Sequence, residues 1–459
     1  MNVTDKFVQK LYQLSKIELG VDTKKLCREK LLDYVGVTLA GSVILDKIIA
    51  SYPSVAQTSE SGAPIIGHNL TVSMEAAALL NGMSAHAAEL DDGERFGMVH
   101  PGAPVISALL AAFHGYKFDT DKLLSAINVG YQATIELARG LQPHLKDNGY
   151  HATGVCGCVG AAMAIAVALD FNQAQMKSAL CAATSGSSGI VKLGRDNSQL
   201  KPYNSGQAAL NGLVAAMIGK SALLGPDEIF VGEHGFFQIM TGHSEVVEWT
   251  LSDELLIERV YVKPYAACRH CHAPIEAALF LRQNHDFLIS EISKVTVVTH
   301  RFAAYKHDHV DVRNVHAAKM SIPFSVAIAL VKKRAGLQEF SEDTLVDQDI
   351  LTLVNLIRIE SDETLTALVP RKRVAIVEIK LASGSTFSHR VDLPIGEPEH
   401  PLSSDMLAQK FISLATYAGF SRENALELMN DILYTNDLST IVPKLTNPQT
   451  SEDVGRLYE

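Results

Sequence analysis

Apolar residues recur at helical spacing through most of the chain. Residues 5–19 and 24–42 show it first, with Leu31, Leu32, Val35, Val37 and Leu39 along the second segment. A mixed connection follows at 43–70, carrying Pro53, Gly62, Pro64 and Gly67. Further helices are predicted at 73–90, 103–115, 121–141, 154–169, 173–185 and 206–222. Asn172 with Gln175 reads as a capping box opening one of them. These segments are rich in Ala, Gly and Ser, whose small side chains let helix backbones approach closely, so a dense and largely buried bundle is expected. Gly154, Gly157 and Gly160 recur every three residues. They read as close-packing glycines, because a phosphate loop would follow a strand and none precedes them.

The pattern changes near residue 258. VYVKPY, SKVTVVTH (293–300) and RVAIVEIKLASGSTFSHRV (373–391) are rich in β-branched residues, and the last reads as a hairpin turning at Ser383-Gly384. Helical spacing persists between them at 273–284, 316–333 and 343–356. From Ser403 the pattern is helical again to about residue 440. The fold class this predicts is mainly α. A large all-helical domain is formed by the N- and C-terminal parts, 1–260 and 395–459, with a smaller α+β domain, 261–394, inserted between them.

At 459 residues and 47% hydrophobic the chain can bury a large core, which excludes disordered and fibrous classes. The formal charge, 40 − 51 = −11, comes without a Lys/Arg cluster, so nucleic acid is not an expected partner. A few local cations can still make a pocket for an anion. Six cysteines are too sparse for a disulfide framework. The N-terminus, MNVTDKFVQK, lacks the apolar core of a signal peptide, and runs such as AAMAIAVAL fall short of the ~20 residues that span a bilayer. A soluble, cytoplasmic protein without a membrane partner is expected.

Ionisable residues concentrate in a few short segments. In His86–Pro104, an alanine-rich run gives way to Glu89, Asp91 and Asp92, and the loop is closed by His100-Pro101-Gly102. Such groups between buried helices are costly to desolvate unless paired, which suggests a site; a solvated, acid-capped loop is the plain alternative. Tyr150-His151 directly precedes the glycine-spaced helix, where the charged imidazole is disfavoured. Lys201-Pro202-Tyr203-Asn204-Ser205-Gly206 lies just ahead of another helix, suiting a carboxylate pocket or an ordinary surface turn. The densest segment is Lys263-Pro264-Tyr265-Ala266-Ala267-Cys268-Arg269-His270-Cys271-His272. Cys268, Cys271, His270 and His272 invite a zinc reading, but no second ligand pair follows at finger spacing, so no metal is expected. Lys319-Met320-Ser321-Ile322-Pro323-Phe324 opens a helix. The inventory lacks a nucleotide loop, cofactor fingerprint or serine elbow, and suits proton transfer beside a carboxylate-bearing carbon without a cofactor.

Five of these stretches, ELDDGERFGMVHPG, HATGVCGCVGAA, KPYNSGQAALNG, KPYAACRHCHAPIEA and AKMSIPF, occur in an order that resembles the MmgE/PrpD family over about residues 5–440. That family includes 2-methylcitrate dehydratase, cis-aconitate decarboxylase and iminodisuccinate epimerase. The resemblance implies a helical domain with an inserted α+β lid, a homodimer, a site between the domains, and catalysis without metal or organic cofactor. It further implies that Asp91, Asp92, His100, His151, Lys201 and the Lys263–His272 segment line that site. Several positions depart from the family text: Glu89 replaces an Asp, Gly93 a Thr, Asn204 a frequent His, Phe324 a Tyr, and Cys268 the catalytic His of the decarboxylases.

The expected activity is therefore a lyase or isomerase acting on a small di- or tricarboxylate, with dehydration ahead of epimerisation and of cis-aconitate-type decarboxylation. Lys201, Lys263 and Arg269, with Glu89 and Tyr150, are expected to bind substrate. His100 or His151 would abstract the proton, oriented by Asp92 or Asp91, and Cys268 or His272 would be the second proton-transfer group. Two rivals remain: a metal-assisted hydrolase built on Cys268, Cys271, His270 and His272, and a catalytically silent relative that only binds a carboxylate.

Overall fold

The computed structural model describes residues 1–52, 62–195, 197–243 and 249–446. Parts of two expectations, the 43–70 connection at 53–61 and the C-terminal segment at 447–459, lie outside the described residues. The protein is mainly helical and divides into two compact units. One comprises Met1–Lys192, Leu200–Val260 and the chain from Ser403; the other comprises Leu193–Gln199 and Tyr261–Leu402. The second unit thus runs to Leu402 rather than 394, because Val262 N donates to Gly396 O at 2.9 Å and Arg269 holds Glu397. It also takes in Leu193–Gln199, where Asn197 accepts from Arg313 N and from the Asn314 side chain.

The first unit opens with α1 (Val3–Ser15), α2 (Val21–Ile44), α3 (Met74–Ala87), α4 (Gly102–Tyr116), α5 (Thr120–Leu141), α6 (Ala152–Ala168), α7 (Gln173–Gly186) and α8 (Lys201–Gly219). Every residue of α6 is buried, as expected of a helix apolar on all sides. It packs against α5 and α8, while α8 also packs on α3. A Cβ on Gly160 would lie 1.7 Å from Thr134 Oγ1, and one on Gly206 would lie 2.3 Å from Leu79 O; the small residues are therefore required by backbone contact. The expected capping box at Asn172 and Gln175 is present. Helix α8 starts at Lys201 rather than near 206, because Pro202 fits the first turn of a helix, where its missing N–H is not needed.

The second unit contains α9 (Arg269–Asn284), β1 (Ile292–Thr299), α10 (Arg301–His307), α11 (Val315–Met320), α12 (Ile322–Lys332), α13 (Gln348–Leu356), β2 (Ile357–Ser361), β3 (Ala375–Leu381) and β4 (Thr386–Val391). Its sheet has the order β2-β1-β3-β4, with β1 and β2 parallel and the other pairs antiparallel. The β3–β4 turn carries Gly384 at φ 93°, a conformation that favours glycine. VYVKPY does not form a strand; Leu256–Arg259 is a 3-10 turn, and Pro264 removes a ladder donor just beyond. The single helix expected over 316–333 is broken at Ser321, whose hydroxyl accepts from Phe324 N and caps α12, with Pro323 in its first turn.

The chain then returns to the first unit with α14 (Ser404–Tyr417) and α15 (Arg422–Tyr434), α14 packing on α2. Among the described residues no helix is long and apolar enough to cross a membrane.

Candidate active site

In the first unit the loop between α3 and α4 gathers the acids on imidazoles. Asp91 Oδ2 lies 2.6 Å from His86 Nδ1 and 3.4 Å from His100 Nδ1. His100 Nδ1 also lies 2.5 Å from the Asp92 carbonyl oxygen, which can only accept. That nitrogen therefore carries the proton, and Nε2 is the basic atom of the neutral ring. The His100 backbone N–H donates to Thr153 Oγ1 in the first turn of α6, fixing the residue from both sides. Glu89 and Met98 have φ of 57° and 50°, a strained backbone for non-glycine residues and a recurrent feature of functional loops. Glu94 braces the loop by accepting from Phe96 N, Gly97 N and Arg139.

The remaining groups converge from three helices. His151 is the N-cap of α6, and its ring centroid is 5.9 Å from that of His86. Burial, and after it the neighbouring His86, Lys201 and His100, hold the His151 imidazole well below its ordinary range, so it is neutral at physiological pH. Its Nδ1 and His86 Nε2 are both buried without a hydrogen-bond partner among the described residues. Lys201 Nζ donates to Glu89 Oε1 at 2.5 Å, both side chains being nearly buried. The Tyr150 backbone, next to His151, bridges to Ile190. Asn204 donates to the Ile190 carbonyl and shapes the same segment.

Asp92 has a different task from Asp91. Its carboxylate accepts from Tyr131 Oη at 2.7 Å and from Gly102 N at 3.1 Å, at the start of α4. Burial raises its pKa to about 6, against the opposing pull of Lys30 and Tyr131. Lys30 is buried too, with its proton affinity lowered by desolvation, and donates to the Val260 carbonyl. Lys410, from α14, bridges Asp33 and the Leu90 carbonyl, tying the returning chain to the acid loop.

In the second unit, the four other expected site residues sit at or before the start of α9. Lys263 is fully buried and Cys268 is the N-cap, half-buried. Arg269 is committed to structure. Its Nε and Nη2 donate to Glu397 at 3.0 and 2.8 Å, Nη2 reaches the Pro394 carbonyl, and the guanidinium lies over Tyr261. His272 is held between Arg269 Nη1, 2.9 Å from its Nδ1, and the Ala267 carbonyl, 3.0 Å from its Nε2. Nε2 therefore donates to the carbonyl and Nδ1 accepts from the arginine. Those contacts tie Arg269 and His272 to each other and to the backbone around them.

The zinc set weighed for this segment does not assemble. His272 is occupied as described, and Cys271 faces the core, with its Sγ on the Lys319 carbonyl. Among the described residues, His86, Asp91 and His100 bring one ligand atom each within 4.8 Å of one another and are where a metal could be held. The residues that reasoning from the chain alone passed over are His86, Tyr131, Thr153, Lys30 and Lys410. Of these only His86 carried a local signal, being an imidazole five positions before Asp91.

The MmgE/PrpD N-terminal domain profile matches residues 6–248 and the MmgE/PrpD C-terminal domain profile matches 265–433. A protein named cis-aconitate decarboxylase from Aspergillus terreus is 24% identical over 409 residues, covering 83% of this chain and 82% of its own. A human protein of the same name is 23% identical over 475 residues, covering 98% and 96%. The mouse protein of that name is 22% identical, covering 99% and 96%. The chain belongs to the MmgE/PrpD family.

Proposed function

We propose that the protein is a cofactor-independent lyase or isomerase that abstracts a proton α to a carboxylate of a small di- or tricarboxylic acid, in the manner of 2-methylcitrate dehydratase. The observation that carries the reading is the His100 tautomer. Asp92 O holds Nδ1–H, leaving Nε2 as the base, and the Asp91 carboxylate at 3.4 Å stabilises the imidazolium that forms. Lys201 supplies the cation for a substrate carboxylate and for the enediolate that develops, which is usually the largest contribution to such a step. Neutral His151 is suited to give or take the second proton at the leaving group. Lys263 and Cys268 enter by position in the family text, as a carboxylate anchor and a further proton-transfer group.

Decarboxylation has one argument in its favour, the names carried by the relatives. Cys268, standing where decarboxylases have His, argues against decarboxylation and keeps epimerisation open. We also propose a cytoplasmic homodimer, on the family match alone; sedimentation at the mass of one chain would contradict the dimer.

The test is NMR in deuterated buffer with 2-methylcitrate, citrate, cis-aconitate and amino- and iminodicarboxylates. Elimination product from a hydroxy acid is expected. Exchange or inversion at carbon without elimination would select the epimerase, and carbon dioxide release the decarboxylase. No exchange and no product from any of them would overturn the proposal in favour of a silent carboxylate binder.

A further inference from the structure

The second unit carries an imidazole cluster that the activity above does not use. His307 ends α10, and its Nδ1 lies 2.7 Å from the Met320 carbonyl oxygen. A carbonyl accepts only, so Nδ1 holds the proton and Nε2 is the basic atom of the neutral ring. That Nε2 lies 3.9 Å from Cys268 Sγ, within reach of a thiol hydrogen bond. Cys268 is the N-cap of the sixteen-residue helix α9, and its backbone N–H donates to the Lys319 carbonyl, which fixes the position of the sulfur. Of the six cysteines, Cys27, Cys156, Cys158 and Cys271 are buried, and only Cys268 and Cys181 are partly open to solvent.

We infer that Cys268 and His307 form a thiol–imidazole pair, with the Met320 carbonyl orienting the imidazole, and that this pair is a proton-transfer centre of the second unit. A base oriented by a third group beside a thiol is the general arrangement for an activated sulfur. A helix N-terminus and a neighbouring imidazolium both stabilise a thiolate. Sγ–H passes its proton to Nε2, leaving a thiolate and an imidazolium. For the substrate configuration that His100 does not deprotonate, the thiolate accepts the proton from carbon: an S–H bond forms, the C–H bond breaks, and the electron pair stays on the substrate as an enediolate. The imidazolium then gives the sulfur's proton either to the leaving hydroxyl, which departs as water, or to the enediolate carbon, and His307 is neutral again. Cys268 is the reacting group and His307 the residue that positions and charges it. The class of substrate rests on the proposed function; the pair itself does not.

Other titratable groups face the pair. The His270 ring centroid is 5.1 Å from His307 and 5.1 Å from His300. His309, held below its ordinary range chiefly by burial, is further lowered by His307, and Asp308 adjoins both in the chain. Of these groups, His307 is placed with a ring nitrogen in hydrogen-bond reach of the sulfur.

The test is alkylation of the intact protein by iodoacetamide, followed site by site by mass spectrometry across a pH series. Cys268 is expected to react at least about tenfold faster than Cys181 at neutral pH, with a midpoint below that of an ordinary thiol at about 8.5. His307→Asn is expected to slow Cys268 about tenfold and move its midpoint upward. Cys181 and the melting temperature, which report the fold, should stay constant. Cys268→Ser should abolish the fast phase. A Cys268 rate unchanged in His307→Asn would overturn the inference. If that variant does not fold, a wild-type Cys268 midpoint at or above about 8.5 would overturn it instead. Alkylation needs no carboxylate, so this failure leaves proton abstraction by His100 standing, and the absence of turnover leaves the pair standing.

Discussion

Lys201 with Glu89 in the first unit and Arg269 with Glu397 in the second are both buried pairings of a basic side chain with a glutamate, and they are built for different ends. Arg269 and Glu397 meet at 2.8 Å with side-chain exposures of 3% and 1%, and the arginine spends its other donors on backbone carbonyls and His272. Lys201 and Glu89 meet at 2.5 Å with exposures of 10% and 1%, yet among the described residues the Lys201 ammonium is seen to make one hydrogen bond where it can make three. A closed network holds a fold. An under-used ammonium beside a neutral His151, at the start of a helix, is available to an anion.

That contrast breaks most visibly at Arg269. Arg269→Met should destabilise the second unit by about 3–5 kcal/mol, since it strands Glu397, and Arg269→Met with Glu397→Leu should recover most of the loss. Calorimetry on the two variants checks this; a double variant no more stable than the single one would mean that the pair is not the source. At Lys201 the same treatment should separate fold from function. Lys201→Met with Glu89→Gln should melt near the wild-type temperature yet turn over about 10²–10³-fold more slowly. Recovered turnover would assign Lys201 to structure.

Asp92 sharpens the comparison through pH. Its folded pKa, raised to about 6, exceeds the unfolded value of about 3.9, so its stabilisation is fully present below about pH 4. It is lost as pH rises through about 6, a change on the order of 3 kcal/mol. Urea unfolding of wild type against Asp92→Asn should show the difference shrinking upward through that window; a constant difference would contradict it. The smallest effect concerns the packing that carries the first site. Gly160→Ala should cost about 1–3 kcal/mol, because Thr134 and the Gly130 carbonyl must move. An unchanged unfolding midpoint would contradict that.

Helical periodicity made the bundle legible because the core helices are apolar over long stretches, and Asn172 and the Ser383-Gly384 turn declared themselves by local chemistry. The break at Ser321 and the early start at Lys201 were hidden because a cap and a first-turn proline look like loop residues until the helix is seen. Glu89, Asp91, Asp92, His100, His151 and Lys201 could be picked out as polar residues interrupting apolar text. Tyr131 and Lys410 could not, since they reach the acid loop from 39 and 320 residues away within otherwise ordinary helices. Whether Arg269 and His272 are held in a hydrogen-bond network was not legible, because a dense local group of ionisable residues reads alike whether it is saturated or open.

The central claim is that His100 Nε2 removes the carbon-bound proton. Its most direct test is the rate of solvent deuterium incorporation at the α-carbon of the best substrate, in wild type and in His100→Asn, whose side-chain amide can still donate to the Asp92 carbonyl. The account predicts about 10²–10⁴-fold slower incorporation in the variant at an unchanged melting temperature. Equal incorporation by the two proteins would contradict it.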